Sequence, residues 1–376
     1  MASKNIGLFL LYLFFFVSCN QGEKHEATNT EDGIRIASMT DAGMDSSVLN
    51  RIDTAITNGT YPNIHSLLIA RNNELVYEKY WPGKDQSWGI DLGVRQHSKD
   101  SLHDIRSISK SVVSACIGIA IQQGKIKNVE QKVFDFFPEY SKLDTGLISS
   151  LTIKHLLTMS SGLKWNEEVP YDNPENSEIK MTRSSNVVEY VLSQPMDFPP
   201  GKVWKYNGGT TQLLAAIVEK TTGKKVDQFA NEYLFRPLGI EKFEWIKYPG
   251  TDMPAAASAL RLTARDLLKF GLLYHNNGKW NDKNILPAKW IEESFQSYVQ
   301  RPGGGGYGYQ FWTWNDTLNT RPIAFVACIG NGDQRIFFDN AHDLVIVTNA
   351  GNYNKWDIEK DAYALIRDHV YPAIRK

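Results

Sequence analysis

Cysteine is scarce, with three in 376 residues, and so sparse a set excludes a disulfide-built scaffold. No Cys or His stands at the spacing of a zinc finger or ribbon, so the sequence announces no metal site. An excess of charge of one sign is also lacking. Lys plus Arg number 41 against 42 for Asp plus Glu, which excludes the basic footprint of a nucleic-acid binder. The apolar run "IGLFLLYLFFFV" at 6–17 has twelve residues, too few to span a bilayer, which takes about 20. Internal repeats and long low-complexity segments are absent as well.

What is present suits a folded protein with a sizeable core. Hydrophobic residues make up 42% and charged residues 22% of the chain, which is ordinary for a globular domain. The length predicts one large domain or two lobes. Ten Trp and seventeen Tyr suit an aromatic-lined cleft as well as they suit a core.

The N-terminus reads as a targeting segment. Lys4, the apolar run and "FVSC" ending at Cys19 are followed by the polar "NQGEKHEATNTEDG". This order resembles a bacterial lipoprotein signal, although Phe16 stands where that pattern usually has Leu. The resemblance implies a signal over 1–19, lipidation at Cys19, a flexible linker over 20–40 and a place in the bacterial cell envelope. An ordinary cleaved secretory signal is the alternative. Cys116 and Cys328 then remain as thiols, both in apolar runs that predict buried, inert side chains.

Residues 41–376 form the expected folded domain. A capped helix is predicted over 44–59, and a hairpin over 65–81 turning at Asn72-Asn73. Helices follow over 107–124, 152–162, 184–194, 209–223 and 263–278, each a periodic apolar segment, most of them closed by Gly. Strands return at 323–330, 334–338 and 343–349, with a last helix over 357–370. Short links between neighbouring strands predict an antiparallel sheet. The fold class is therefore α/β (α+β), a sheet flanked by helices with an all-helical lobe inserted over about 111–255, and a cleft between them.

The chemistry centres on "RSISKS" at 106–111. Ser-x-x-Lys occurs three times, at Ser107/Lys110, Ser161/Lys164 and Ser177/Lys180, and only Ser107 heads a long apolar helix. Residues three apart share a helix face, and the helix start favours developing negative charge. A serine becomes a nucleophile when an adjacent base takes its proton, and a neutral lysine can do so. A plain helix cap is the competing reading. In "PPGKVWKYNGG" (199–209), a Pro-Gly turn delivers Trp204 and Tyr206 to a loop, where Tyr206 could shuttle a proton. In "ACIGNGDQRIFF" (327–338), Gly330-Asn331-Gly332 lets a substrate approach, and the Asp333 N–H could complete an oxyanion hole with that of Ser107.

These phrases, together with "LTIKHLLTMSSGLKW", "LTARDLLKFGLLYHNNGKW" and "YGYQFW", resemble the serine β-lactamase-like superfamily. It includes class C β-lactamases, D-alanyl-D-alanine carboxypeptidases, family VIII esterases and 6-aminohexanoate-oligomer hydrolases. The resemblance runs from about residue 45 to the C-terminus. It implies Ser107 as acylated nucleophile, Lys110 as base and Tyr206 as the proton-transfer tyrosine, with no cofactor and no metal. Gly330-Asn331-Gly332 takes the place of the family's Lys-Thr-Gly strand. Two departures stand out. Gly208 replaces the Asn or Ser usual two residues after the tyrosine, so Asn207 and Trp204 are the candidate substrate contacts there. Gly330 replaces the lysine, with Arg335 as a nearby cation. The expected partner is a small acyl substrate, an ester or small amide. A β-lactam or D-alanyl peptide is the alternative, as is a non-catalytic binding protein on the same fold. The glycine-rich stretch 297–312 is either a rim of the cleft or a plain surface loop.

Overall fold

The computed structural model describes residues 28–318 and 321–375. Cys19 and the segment 1–27 lie outside them. The tether expected over 20–40 does not extend through its described part. Thr28–Asn29 and Arg35–Ile36 pair as strands, and Ile34 is fully buried. An apolar Ile-x-Ile at 34–36 inside a polar stretch is what draws this segment into the fold.

A ten-stranded sheet forms the frame. Its centre joins the two ends of the chain, with Ile64–Arg71 antiparallel to Leu344–Ala350. On one side follow Glu74–Tyr80 and the short N-terminal strands, the only parallel pairing among the described residues being Arg35–Ile36 against Glu74–Tyr80. On the other side come Gln334–Asp339, Arg321–Gly330, Trp312–Leu318, Gly306–Tyr307 and Val299–Gln300. The first hairpin turns where the sequence indicates. Asn72 and Asn73 both take positive φ, 54° and 64°, as a two-residue turn matched to strand twist requires.

Alternation along the strands divides the core. Leu67, Ile69, Phe325, Phe337 and Ile346 face one cluster, with Ile52, Leu365 and Val370 of the terminal helices. Leu68, Cys328, Ile336, Val345 and Val347 face the other, with the helices Ile108–Gln122, Gly208–Thr222 and Ala264–His275. The inserted helices therefore share one continuous core with a face of the sheet. Cys116 and Cys328 are free and fully buried there, and burial pushes the Cys328 thiol up to about 12. Both behave as small apolar side chains, as their surroundings in sequence indicate.

Three segments differ from expectation. Gly83–Ser87 and Ile90–Arg95 form an unpredicted hairpin, whose mostly polar, exposed residues give no apolar alternation to read. Ser177–Thr182, for which the sequence reading names no element, is a short helix capped by Asn176. The glycine-rich stretch 297–312 is an edge hairpin of the main sheet, with positive φ at Gly303, Gly304 and Gly305. Folding also gathers His65, Asp85, His97 and His103 so that one ligand atom of each lies within 4.8 Å of the others. Local spacing in the sequence gives no sign of this set, because long-range pairing brings the residues together. Among the described residues, no helix is long and apolar enough to cross a membrane.

Candidate active site

Arg106 takes φ +50°, a strained conformation for a non-glycine residue. Several contacts hold it. Ser109 Oγ donates to its carbonyl at 2.6 Å. Its guanidinium lies 3.3 Å from the buried Asp104 carboxylate and 4.8 Å from the centre of the Tyr353 ring. The sharp turn places Ser107 at the mouth of the helix Ile108–Gln122. Ser111 pins that helix to the neighbouring layer through the Gln310 carbonyl at 2.7 Å. Two serines of the cluster are thus structural, and the third is free to face the cleft.

Ser107 occupies the cap position, yet its hydroxyl makes no capping bond. Instead Lys110 Nζ donates to Ser107 Oγ at 3.1 Å and to the Ala257 carbonyl at 2.8 Å. Lys110 is 1% exposed, so its amine meets only groups the fold supplies. The same nitrogen lies 4.9 Å from the centre of the Tyr206 ring, and Tyr206 shares a cavity wall with Ser107. Burial first, then the Glu167 charge, pushes the Tyr206 phenol well above its ordinary range, so it carries its proton at neutral pH. The other two Ser-x-x-Lys pairs are separated by geometry. Ser161 Oγ accepts from the Leu163 N–H, and Lys180 is bound to Glu175 at 2.8 Å.

Two cavities meet at Ser107. One of about 400 Å³ is lined by Trp88, Arg106, Asp172, Glu178 and Ser258. The other, about 360 Å³, is lined by Val169, Pro170, Tyr206, Trp312, Ile329 and Trp356. Tyr171 and Asn331 belong to both. A substrate with its carbonyl at Ser107 thus has a charged side and an aromatic side.

Glu167 and Glu178 went unnoticed in the sequence because they lie in a polar loop and a short helix. They occupy the space that Gly208 opens. A Cβ at 208 would stand 2.8 Å from Glu178 Oε2 and 3.3 Å from Glu167 Oε2. The Gly208 N–H and Trp165 Nε1–H both donate to Glu167 Oε2, and Ser258 Oγ donates to Glu178 at 2.9 Å. Burial, then the Glu178 charge, raises the Glu167 carboxyl to about 8. Burial also acts to raise Glu178, but the Lys110 charge and the bond to Glu167 bring it below its ordinary range. The pair therefore holds one proton at neutral pH, with the ionised member toward Lys110.

This arrangement has a measurable consequence. The folded pair keeps a proton that the unfolded chain releases near 4.5, so stability falls as pH rises from there to about 8. In urea unfolding, Glu167→Gln should flatten that fall by a slope of one proton. Parallel profiles for wild type and variant would contradict the shared proton.

The remaining sequence candidates divide. Asn207 caps the helix Gly208–Thr222, accepting from the Thr210 N–H at 3.1 Å, and lines neither cavity. Its expected contact with substrate gives way to a structural role. Trp204 packs behind the wall, tilted against Tyr206 at 6.2 Å and edge-on to Trp312 at 5.8 Å between ring centres. Asn331 lines both cavities, its amide donating to Asn354 at 2.7 Å. Gly332 and Asp333 turn with φ of 90° and 68°. The Asp333 carboxylate binds Arg335 and Asn352, each at 3.0 Å, its carbonyl accepts from Thr348 Oγ1 at 3.0 Å, and the residue lines neither cavity. Arg335 also donates to the Gly330 carbonyl at 2.9 Å and lines neither cavity. The cation facing the cleft is Arg106 instead. Gly330 is dictated by space, since a Cβ there would lie 2.4 Å from the Ile105 carbonyl oxygen.

Known proteins share this arrangement of sheet and helices. The chain is 26% identical over 242 residues to an uncharacterized protein of Alkalihalophilus pseudofirmus, covering 60% of this chain and 62% of that one. It is 24% identical over 304 residues to the 6-aminohexanoate-dimer hydrolase of Paenarthrobacter ureafaciens, covering 75% and 71%. The chain thus spans roughly two thirds of the length of these curated relatives. A family VIII carboxylesterase superposes with a TM-score of 0.66 at 16% identity, covering 87% of this chain and 96% of that one; at that identity the likeness speaks for the fold. The Beta-lactamase family model matches residues 64–369. That is most of the sequence, and the chain belongs to the Beta-lactamase family.

Proposed function

We propose that the protein is a serine hydrolase that turns over an ester or small amide through an acyl-enzyme. The observation that carries this reading is the uncapped Ser107 hydroxyl, 3.1 Å from the buried Lys110 amine and on one cavity wall with Tyr206. Lys110, once it has given up its own proton, takes the Ser107 proton while Oγ attacks the substrate carbonyl. In this reading the Ser107 and Asp333 N–H groups hold the oxyanion. As the bond from carbon to the leaving group breaks, Tyr206 passes a proton to the leaving atom and recovers one from Lys110. Water, deprotonated by the same pair, then splits the Ser107 ester and releases the acid. Glu178 accepts from Ser258 and lines the charged cavity beside Ser107.

An ester or small amide is favoured over a β-lactam by the strand beside the nucleophile. Gly330 has no room for the lysine that would meet a drug's carboxylate, and Arg335 is engaged with Asp333. Nitrophenyl esters and nitrocefin assayed side by side test this. Turnover of esters, lost in Ser107→Ala, with negligible nitrocefin hydrolysis is the expected result. Fast Ser107-dependent nitrocefin hydrolysis would overturn the substrate assignment, and silence on every ester and amide tried would overturn the hydrolase reading.

A further inference from the structure

The four-residue cluster His65, Asp85, His97 and His103 lies outside the chemistry described above. Three of its members are essentially buried, His65 at 0%, His103 at 3% and Asp85 at 5% exposure. Hydrogen bonding fixes the tautomers of two imidazoles. Asn63 is held in one orientation by Lys84, its Nδ2 donating to the Lys84 carbonyl and its Oδ1 accepting the Lys84 N–H, both at 2.9 Å. That Oδ1 stands 3.2 Å from His65 Nε2, so Nε2 must carry the hydrogen and Nδ1 the lone pair. His103 Nδ1 faces the Asp104 carbonyl at 3.0 Å, so it carries its hydrogen and Nε2 has the lone pair. These two lone-pair nitrogens face each other at 2.8 Å.

Two acceptors at that distance repel unless something positive stands between or beside them. A proton would make a buried imidazolium, which costs desolvation. A metal ion is the other solution, and the surroundings fit one. His103 Nε2 is 3.5 Å from Asp85 Oδ1. The His97 ring stacks on His65 at 4.1 Å, and its Nε2 is buried without a hydrogen-bond partner. Outer contacts of the kind that orient metal ligands are in place: Asn63 on His65, the Asp104 carbonyl on His103, and the Tyr353 hydroxyl on Asp85 at 3.1 Å. Gly83 and Gly351 leave the room this packing needs, since a Cβ at either would come within 2.7 Å of His65 ring atoms.

We propose that His65, Asp85, His97 and His103 bind one divalent transition-metal ion of the zinc type. Three imidazoles and one carboxylate suit such an ion rather than Mg²⁺ or Ca²⁺. Four-coordinate zinc, with bonds of about 2.0–2.1 Å, sets its ligands about 3.4 Å apart. Binding therefore parts the His65 and His103 nitrogens slightly and draws the wider pairs inward. With all four positions filled by protein, the ion is structural. Asp85 belongs to the hairpin Gly83–Arg95 and His97 to its exit, whereas His65 lies in the main sheet and His103 just before Ser107. Gln86, Trp88 and Gly89 of that hairpin wall the charged cavity. The ion would clasp this wall to the frame.

The test uses the full-length chain, stripped with a chelator, dialysed and titrated with Zn²⁺ while binding and thermal unfolding are followed. One Zn²⁺ per chain and a rise in Tm of several degrees are expected. His97→Ala, which removes a partly exposed ring with an unpartnered nitrogen, should leave the metal-free Tm unchanged and weaken binding roughly 100-fold. Loading with Co²⁺ should give the intense visible bands of a tetrahedral site. Wild type binding Zn²⁺ no more tightly than His97→Ala, or binding it with no change in Tm, would overturn the proposal.

Discussion

Ser107→Ala is expected to lower ester turnover by about a thousandfold or more while leaving the unfolding temperature near that of the wild type. The hydroxyl caps nothing, so its removal takes away no bond that holds the helix. Lys110→Met should cost a similar factor, because without the amine no group is placed to take the Ser107 proton. Methionine preserves the volume of the buried stem, which Lys110→Ala would leave as a cavity beneath Tyr206. The double variant should be little worse than either single one, since the two residues act as a unit. Additive losses in the double variant, or near-normal turnover in Lys110→Met, would remove Lys110 from the role of base. The readouts are kcat and Tm measured on the same preparations.

The second large effect concerns a substitution that looks like a repair. Gly330→Lys would restore the residue found at that place in β-lactamases, and it is expected to damage the protein instead. The new Cβ would stand 2.4 Å from the Ile105 carbonyl oxygen, 2.9 Å from Gln334 Cβ and 3.2 Å from Arg106 Cβ. Backbone must then move, and the segment that moves carries the nucleophile. Overpacking of this kind together with a buried charge should cost about 3 kcal/mol or more. Thermal unfolding should show the loss, and ester turnover should fall with it. Gly330→Ala isolates the steric part and should reproduce most of the damage. A Gly330→Lys protein with the wild-type Tm and new nitrocefin turnover would show that the strand can yield.

Much of the frame is legible in sequence where one physical signal dominates. Asn72-Asn73 between alternating runs encodes a turn, and "SVVSACIGIAI" encodes a helix buried all round. The nucleophile is legible because only one of three Ser-x-x-Lys pairs precedes such a helix. What escapes reading is assembled by long-range pairing. Glu167 and Glu178 come together beside Gly208, and His65 meets His103 only because separate strands bring them together. Arg106, the cation at the cleft, looks like an ordinary residue before a helix. Gly208 and Gly330 read as losses from a motif, whereas the structure gives each a spatial reason. One makes room for a carboxylate pair, and the other for the backbone ahead of Ser107.

The central pairing of Ile64–Arg71 with Leu344–Ala350 also sets an order of assembly. The first hairpin can form early, but one edge of it stays open until nearly the whole chain has been made. Along Ile64–Ala70 every side chain is buried in the finished protein, on both faces. A strand of that kind, exposed at an edge, is a template for wrong pairing. Contacts so distant in sequence also form slowly. Chains cut short before residue 344 should therefore aggregate rather than rest as a smaller folded unit, and the cell must shelter this strand until its partner arrives.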